Sequence, residues 1–130
     1  MNIGSTACYQ PVSYTALYAA SKAFILSFSQ AIREENRHDD ASVCIACVVP
    51  SVTDTNLDGQ GHGERRGALK KTGVDQPADV AKVAVSAFKD NAAARVVAWN
   101  NHAFYASLNI LPNSAKAAIV SNVRGAPGEE

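Results

Sequence analysis

Tyr18 and Lys22 are the two residues of this sequence best placed to do chemistry together. They stand four apart in a stretch of helical periodicity, so both side chains leave the same face of a helix. An ammonium beside a phenol favours the phenolate. A phenol that ordinarily ionises near pH ~10 then becomes a usable proton donor and acceptor. Ser5 lies 13 residues before Tyr18, at the exit of a short extended stretch. A hydroxyl there can meet a ligand beyond the carboxyl ends of a parallel sheet. Taken alone, Tyr-x-x-x-Lys is a weak signal, and a surface pair with no role is the plain alternative.

The elements that must position these residues follow from periodicity. Asn2-Ile3 reads as the last two residues of a strand, followed by small residues over 4–7 and a loop over 9–13 that holds Pro11. Residues 14–36 are helical in pattern, with Leu17, Ala20, Phe24, Phe28, Ala31 and Ile32 recurring at steps of three and four. Phe24, Ile25 and Leu26 widen the apolar face, so the helix should be covered on more than one side. Residues 42–49 are β-branched and cysteine-rich without polar alternation, as in a strand buried on both faces, and Pro50 stops it. The polar, glycine-containing stretch 51–71 should hold a short helix near 65–71. Pro77 and Asp79 announce a helix through about residue 90, with Val80, Val83, Ala84, Ala87 and Phe88 as its buried stripe. Residues 95–99 read as a second short strand, and 101–111 and 113–123 as two helices split by Pro112. Such alternation predicts an α/β fold, a partial doubly wound parallel sheet. In it 42–49 is central and 95–99 lies beside it, joined by right-handed crossovers. Two full strands are few for an open sheet.

Composition narrows the function classes. The chain has 130 residues, 47% hydrophobic and 18% charged, with 12 basic residues against 12 acidic ones. That suits one globular domain and argues against global disorder. Zero net charge offers no electrostatic footprint for nucleic acid or anionic lipid. No apolar run approaches the roughly 20 residues that span a bilayer, and no signal-peptide pattern opens the chain. Three cysteines do not make a disulfide framework, so a reducing cytoplasm is the expected compartment.

The whole arrangement resembles the short-chain dehydrogenase/reductase family. There, a strand ending in Ser precedes Tyr-x-x-x-Ser-Lys, and a later strand ends in Pro-Gly-x-Val-x-Thr. The matching pieces are Asn2-Ile3-Gly4-Ser5-Thr6-Ala7, Tyr18-Ala19-Ala20-Ser21-Lys22 and Pro50-Ser51-Val52-Thr53-Asp54-Thr55. Pro77-Ala78-Asp79-Val80-Ala81 is similar to a helix that commonly opens Pro-Glu-Asp-Val-Ala in this family. Residues 101–124 are similar to the tail of a bacterial subgroup of uncharacterised oxidoreductases. Two positions depart from the pattern: Gly4 stands where a first Ser is common, and Ser51 replaces the usual Gly.

The resemblance implies roles. Tyr18 would be the general acid and base at the oxygen of a small carbonyl or alcohol substrate. Lys22 would favour the Tyr18 phenolate and hydrogen-bond the nicotinamide ribose of NAD or NADP. Ser5 would hold the same substrate oxygen. Pro50, Ser51, Thr53 and Thr55 would border the nicotinamide, largely through backbone, and Ala7 and Cys8 would line the substrate pocket. The family binds its dinucleotide on an earlier Gly-rich strand-turn-helix. No such turn stands in this sequence, since Gly59-Gln60-Gly61-His62-Gly63 has the wrong spacing and no strand leading into it. The expectation is a carboxyl-terminal catalytic half over 1–124 with a disordered tail over 125–130. Alone, such a half should bind dinucleotide weakly and turn over little.

Competing readings are plainer. Cys44 and Cys47 are three apart in a predicted strand, so their sulfurs should diverge, and core thiols are favoured over a redox pair. No second cysteine pair exists and His38, His62 and His102 are scattered, so no metal site is expected. Arg65, Arg66, Lys70 and Lys71 suit a solvated helical face rather than an anion patch. The functional alternative to an oxidoreductase is a non-catalytic remnant or dimerisation module, pairing with a second copy through the 14–36 helix.

Overall fold

The computed structural model describes residues 1–39, 42–53, 74–97 and 110–124. Three strands, β1 (Asn2–Ile3), β2 (Cys47–Val49) and β3 (Ala94–Val96), form one parallel sheet in the order β1-β2-β3. Helix α1 (Ala16–His38) connects β1 to β2, α2 (Pro77–Lys89) connects β2 to β3, and α3 (Asn113–Arg124) follows. A 3-10 turn, Thr6–Tyr9, links β1 to the approach of α1. The α/β class, the parallel sheet and the central position of the second strand agree with the sequence reading. Among the described residues no helix is long and apolar enough to cross a membrane.

β2 is the centre of the molecule: Ala46, Cys47, Val48 and Val49 are fully buried. Its side chains alternate between the two faces, as a strand requires. Cys47 and Val49 pack with Leu26 of α1, while Val48 packs with Ala84 and Ala87 of α2. The helices therefore cover opposite faces of the sheet. Both crossovers join neighbouring parallel strands and advance in the same direction, so helices on opposite faces make the crossovers opposite in hand. The right-handed rule, which rests on a strand feeding directly into a packed helix, holds for only one of them. The second crossover passes through the long 50–76 connection, which weakens that constraint.

Three other expectations need correction. The central strand covers Cys47–Val49 rather than 42–49, because side chains rather than a ladder tie down Val43 and Ile45 before it. Arg33 donates to the Ile45 carbonyl, and Asn36 donates to that of Val43. The buried face of α1 is not the predicted stripe: Leu17, Phe24 and Phe28 are 86%, 65% and 49% exposed, and Ala19, Leu26 and Ser29 are buried. On α2, Ala84 and Ala87 are buried but Phe88 is 51% exposed. Tight helix-on-sheet packing selects small side chains at the closest approach, and those carry little hydrophobic signal. The predicted helices over 65–71 and 101–111, the outer half of the 95–99 strand and the 125–130 tail lie outside the described residues.

Several local features fix the frame. Pro77 opens α2 with Asp79 in its first turn and Lys89 in its last, matching the helix dipole at both ends. Arg33 also donates to the side-chain and backbone oxygens of Asn91, tying α1 to the turn between α2 and β3. Asn91 holds a left-handed backbone, φ 49°. Gly4 leaves β1 so close to β2 that an added Cβ would lie 3.3 Å from Cys47 Sγ and 3.4 Å from the Val48 carbonyl oxygen.

Candidate active site

The site is built where β1 ends. Asn2 N–H donates to the Ala46 carbonyl and Gly4 N–H to the Val48 carbonyl, so alternate residues of β1 face β2. The polar backbone groups of Ile3 then face the other edge. Lys22 reaches that edge from α1, its Nζ donating to the Ile3 carbonyl oxygen at 3.0 Å. The same Nζ lies 5.6 Å from the centroid of the Tyr18 ring. One helical turn thus sets an ammonium over a phenol beside the end of a strand. Tyr18 is 45% exposed, which leaves its phenol open to a ligand.

Ser5 stands two residues beyond Ile3, at the start of the 3-10 turn. Its Oγ accepts from Ala7 N–H at 3.3 Å, which caps the turn and leaves the hydroxyl proton to donate elsewhere. Among the described contacts Ser5 and Tyr18 do not bond to each other. The backbone links the Ser5 segment to the end of β2, because Thr6 N–H donates to the Pro50 carbonyl at 3.0 Å. Ala7 packs against Val12, Ala19 and Val120, and Cys8 packs with Leu26, Cys47 and Val49. Burial, with Cys47 nearby, pushes the Cys8 thiol up to about 11, so it is no nucleophile at neutral pH. Burial likewise raises Tyr9 to about 12 and moves Cys47 upward. Cys44 turns away from Cys47, its thiol donating to the Phe88 carbonyl.

The turn after β2 holds Pro50, Ser51 and Thr53, and Thr55 lies outside the described residues. Ser51 N–H donates to Asp75 Oδ2 at 3.0 Å, and Thr53 Oγ1 donates to the Ser51 carbonyl at 3.3 Å. Sequence reasoning misses Asp75, because 24 residues separate it from Ser51 and no spacing rule joins them. It also misses Gln10, whose Oε1 is buried and has no hydrogen-bond partner among the described residues.

The sequence profile of the short chain dehydrogenase family matches residues 1–65, half of the chain, and the chain belongs to that family. No curated protein matches it. Among solved structures it is similar to a short-chain dehydrogenase from Sphingobium yanoikuyae in complex with NADPH, with TM-score 0.63, 22% identity and 99% of this chain covered. It is also similar to a bulky-bulky ketone specific alcohol dehydrogenase from Comamonas testosteroni, with TM-score 0.58, 21% identity and 98% of this chain covered. These likenesses establish the fold. The chain spans 47% and 44% of those two proteins, less than half of each.

Proposed function

We propose that this chain carries the proton-transfer part of an NAD(P)-dependent oxidoreductase site that interconverts a carbonyl and an alcohol. The observation behind this reading is the placement of Lys22, with its ammonium beside the Tyr18 ring and on the carbonyl of Ile3, two residues from Ser5. In reduction, Tyr18 donates its phenolic proton to the substrate oxygen as negative charge develops there. Ser5 donates a hydrogen bond to the same oxygen, and the Lys22 ammonium stabilises the phenolate left behind. In oxidation the phenolate takes the alcohol proton back.

A nicotinamide dinucleotide supplies or accepts the hydride when bound. The residues at this corner suit its nicotinamide end. Lys22 has three N–H donors and the Ile3 carbonyl engages one, so two remain for ribose hydroxyls. The 50–53 turn offers backbone, although the Ser51 N–H is already engaged by Asp75. Most dinucleotide affinity in this architecture comes from the pyrophosphate at a Gly-rich helix start, and this sequence contains no such turn. The few hydrogen bonds that remain are each worth about 1 kcal/mol. The 130 residues alone therefore bind NADH or NADPH weakly and turn over little. Calorimetric titration with both dinucleotides, with a carbonyl-reduction screen, tests this. Micromolar affinity with Tyr18-dependent turnover contradicts it.

A second reading, a non-catalytic module that pairs with another copy through α1, is favoured by one observation. Leu17, Phe24 and Phe28 form an exposed stripe on that helix, with the two phenylalanine rings stacked at 5.6 Å. An exposed apolar stripe of this kind suits an isologous contact. Pairing through α1 is compatible with the first reading; a non-catalytic role is not.

A further inference from the structure

The first peptide unit beyond β2, between Pro50 and Ser51, is held at both of its polar ends. Its carbonyl accepts from Thr6 N–H at 3.0 Å, on the segment that carries Ser5. Its N–H donates to the Asp75 carboxylate at 3.0 Å, two residues ahead of the helix that opens at Pro77. The backbone of Asp75 adds a bond from its N–H to the Val52 carbonyl at 2.8 Å, within a parallel bridge to Thr53. Those backbone contacts would form with any residue but proline at 75. The carboxylate adds a charge-assisted bond whose only described partner is the Ser51 N–H. It fixes the plane of the peptide to which Thr6, next to Ser5, is bonded.

We propose that Asp75 is a positioning residue for ligand binding: its carboxylate clamps the 50–51 peptide and so sets the 50–53 turn against Ser5, Tyr18 and Lys22. The ligand end it serves is a nicotinamide ribotide. This inference rests on the functional reading above. It extends that reading to a residue that touches neither substrate nor cofactor.

The probe is nicotinamide mononucleotide, which lacks the adenylate half and reports on this corner alone. Amide NMR titrations of the full chain compare wild type, Asp75→Ala and Asp75→Asn. In wild type, shifts concentrate at Ser5, Thr6, Tyr18, Lys22 and 51–53. Asp75→Ala weakens binding about fivefold or more and shrinks the shifts at 51–53. Asp75→Asn keeps an acceptor oxygen and stays within about twofold of wild type. A purely structural role would lower stability without moving affinity. Wild-type affinity in Asp75→Ala, or an Asp75→Asn chain as weak as Asp75→Ala, overturns the proposal. If Asp75→Ala does not fold, Asp75→Glu replaces it, since one methylene displaces the acceptor; the same loss is expected and wild-type affinity is contrary. A wild-type chain that shows no shifts at these residues fails the functional reading itself, and the proposal with it, before any variant is compared.

Discussion

Lys22 does two things at once, which explains why its spacing from Tyr18 matters. Its stem follows α1 to the edge of β1, and its head bonds the Ile3 carbonyl while staying beside the phenol. Tyr18, by contrast, is 45% exposed, and no described hydrogen bond involves its phenolic oxygen. The two residues should therefore differ in stability tests. Tyr18→Phe is expected to change the unfolding free energy by less than about 0.5 kcal/mol in urea titration. Lys22→Ala should lower it by about 1 kcal/mol through the lost bond and packing. A large loss in Tyr18→Phe would make that tyrosine a structural residue. Cys8 and Tyr9 give a pH signature. Burial raises the thiol from 9.0 to about 11 and the phenol from 10.0 to about 12. The unfolded chain loses these protons first, so stability holds below pH 9 and falls as pH rises through 9 to 12. Urea midpoints at pH 7.5 and 10 should show the drop, and Cys8→Ala should make it shallower.

At the scale of elements, the sequence reveals strand and helix order better than it reveals faces. The existence of α1, α2 and the buried central strand follows from periodicity, Pro50 and Pro77. The buried face of α1 does not, because the most buried residue of the helix is polar. Ser29 is 1% exposed; its hydroxyl donates to the Ile25 carbonyl and accepts from Asn2 Nδ2. Hydrophobic counting passes over such a residue, and the large apolar residues it counts lie outside. Ser29→Ala should lower stability by roughly 1–3 kcal/mol, because it strands the Asn2 amide. Leu26→Ala should cost about 2–4 kcal/mol by opening a cavity between α1 and β2. Thermal denaturation of both variants checks the assignment, and near-neutral substitutions would place the buried face elsewhere. The juxtaposition of Tyr18 and Lys22 was legible because they stand one helical turn apart, and the place of Ser5 because it follows a strand. Asp75 was not, since only tertiary folding brings it to Ser51.

At the scale of the whole molecule, one described surface suits the proposed pairing with a second copy. The α1 stripe of Leu17, Phe24 and Phe28 is apolar and exposed. Exposed apolar stripes favour association. Sedimentation should detect dimers or larger species, and Phe24→Ser with Phe28→Ser should shift them toward monomer. Unchanged association in the double variant would remove α1 from the interface. In the proposed function, Ser5, Tyr18 and Lys22 form a proton-transfer corner, and these 130 residues hold no Gly-rich turn to grip the dinucleotide. The measurement that tests it most directly is an amide NMR titration of the purified chain with NADPH. The account predicts weak binding, in the millimolar range set by a few hydrogen bonds of about 1 kcal/mol each, with shifts gathered at Ser5, Tyr18, Lys22 and 50–53. Binding in the micromolar range, or shifts that leave those residues untouched, would contradict it.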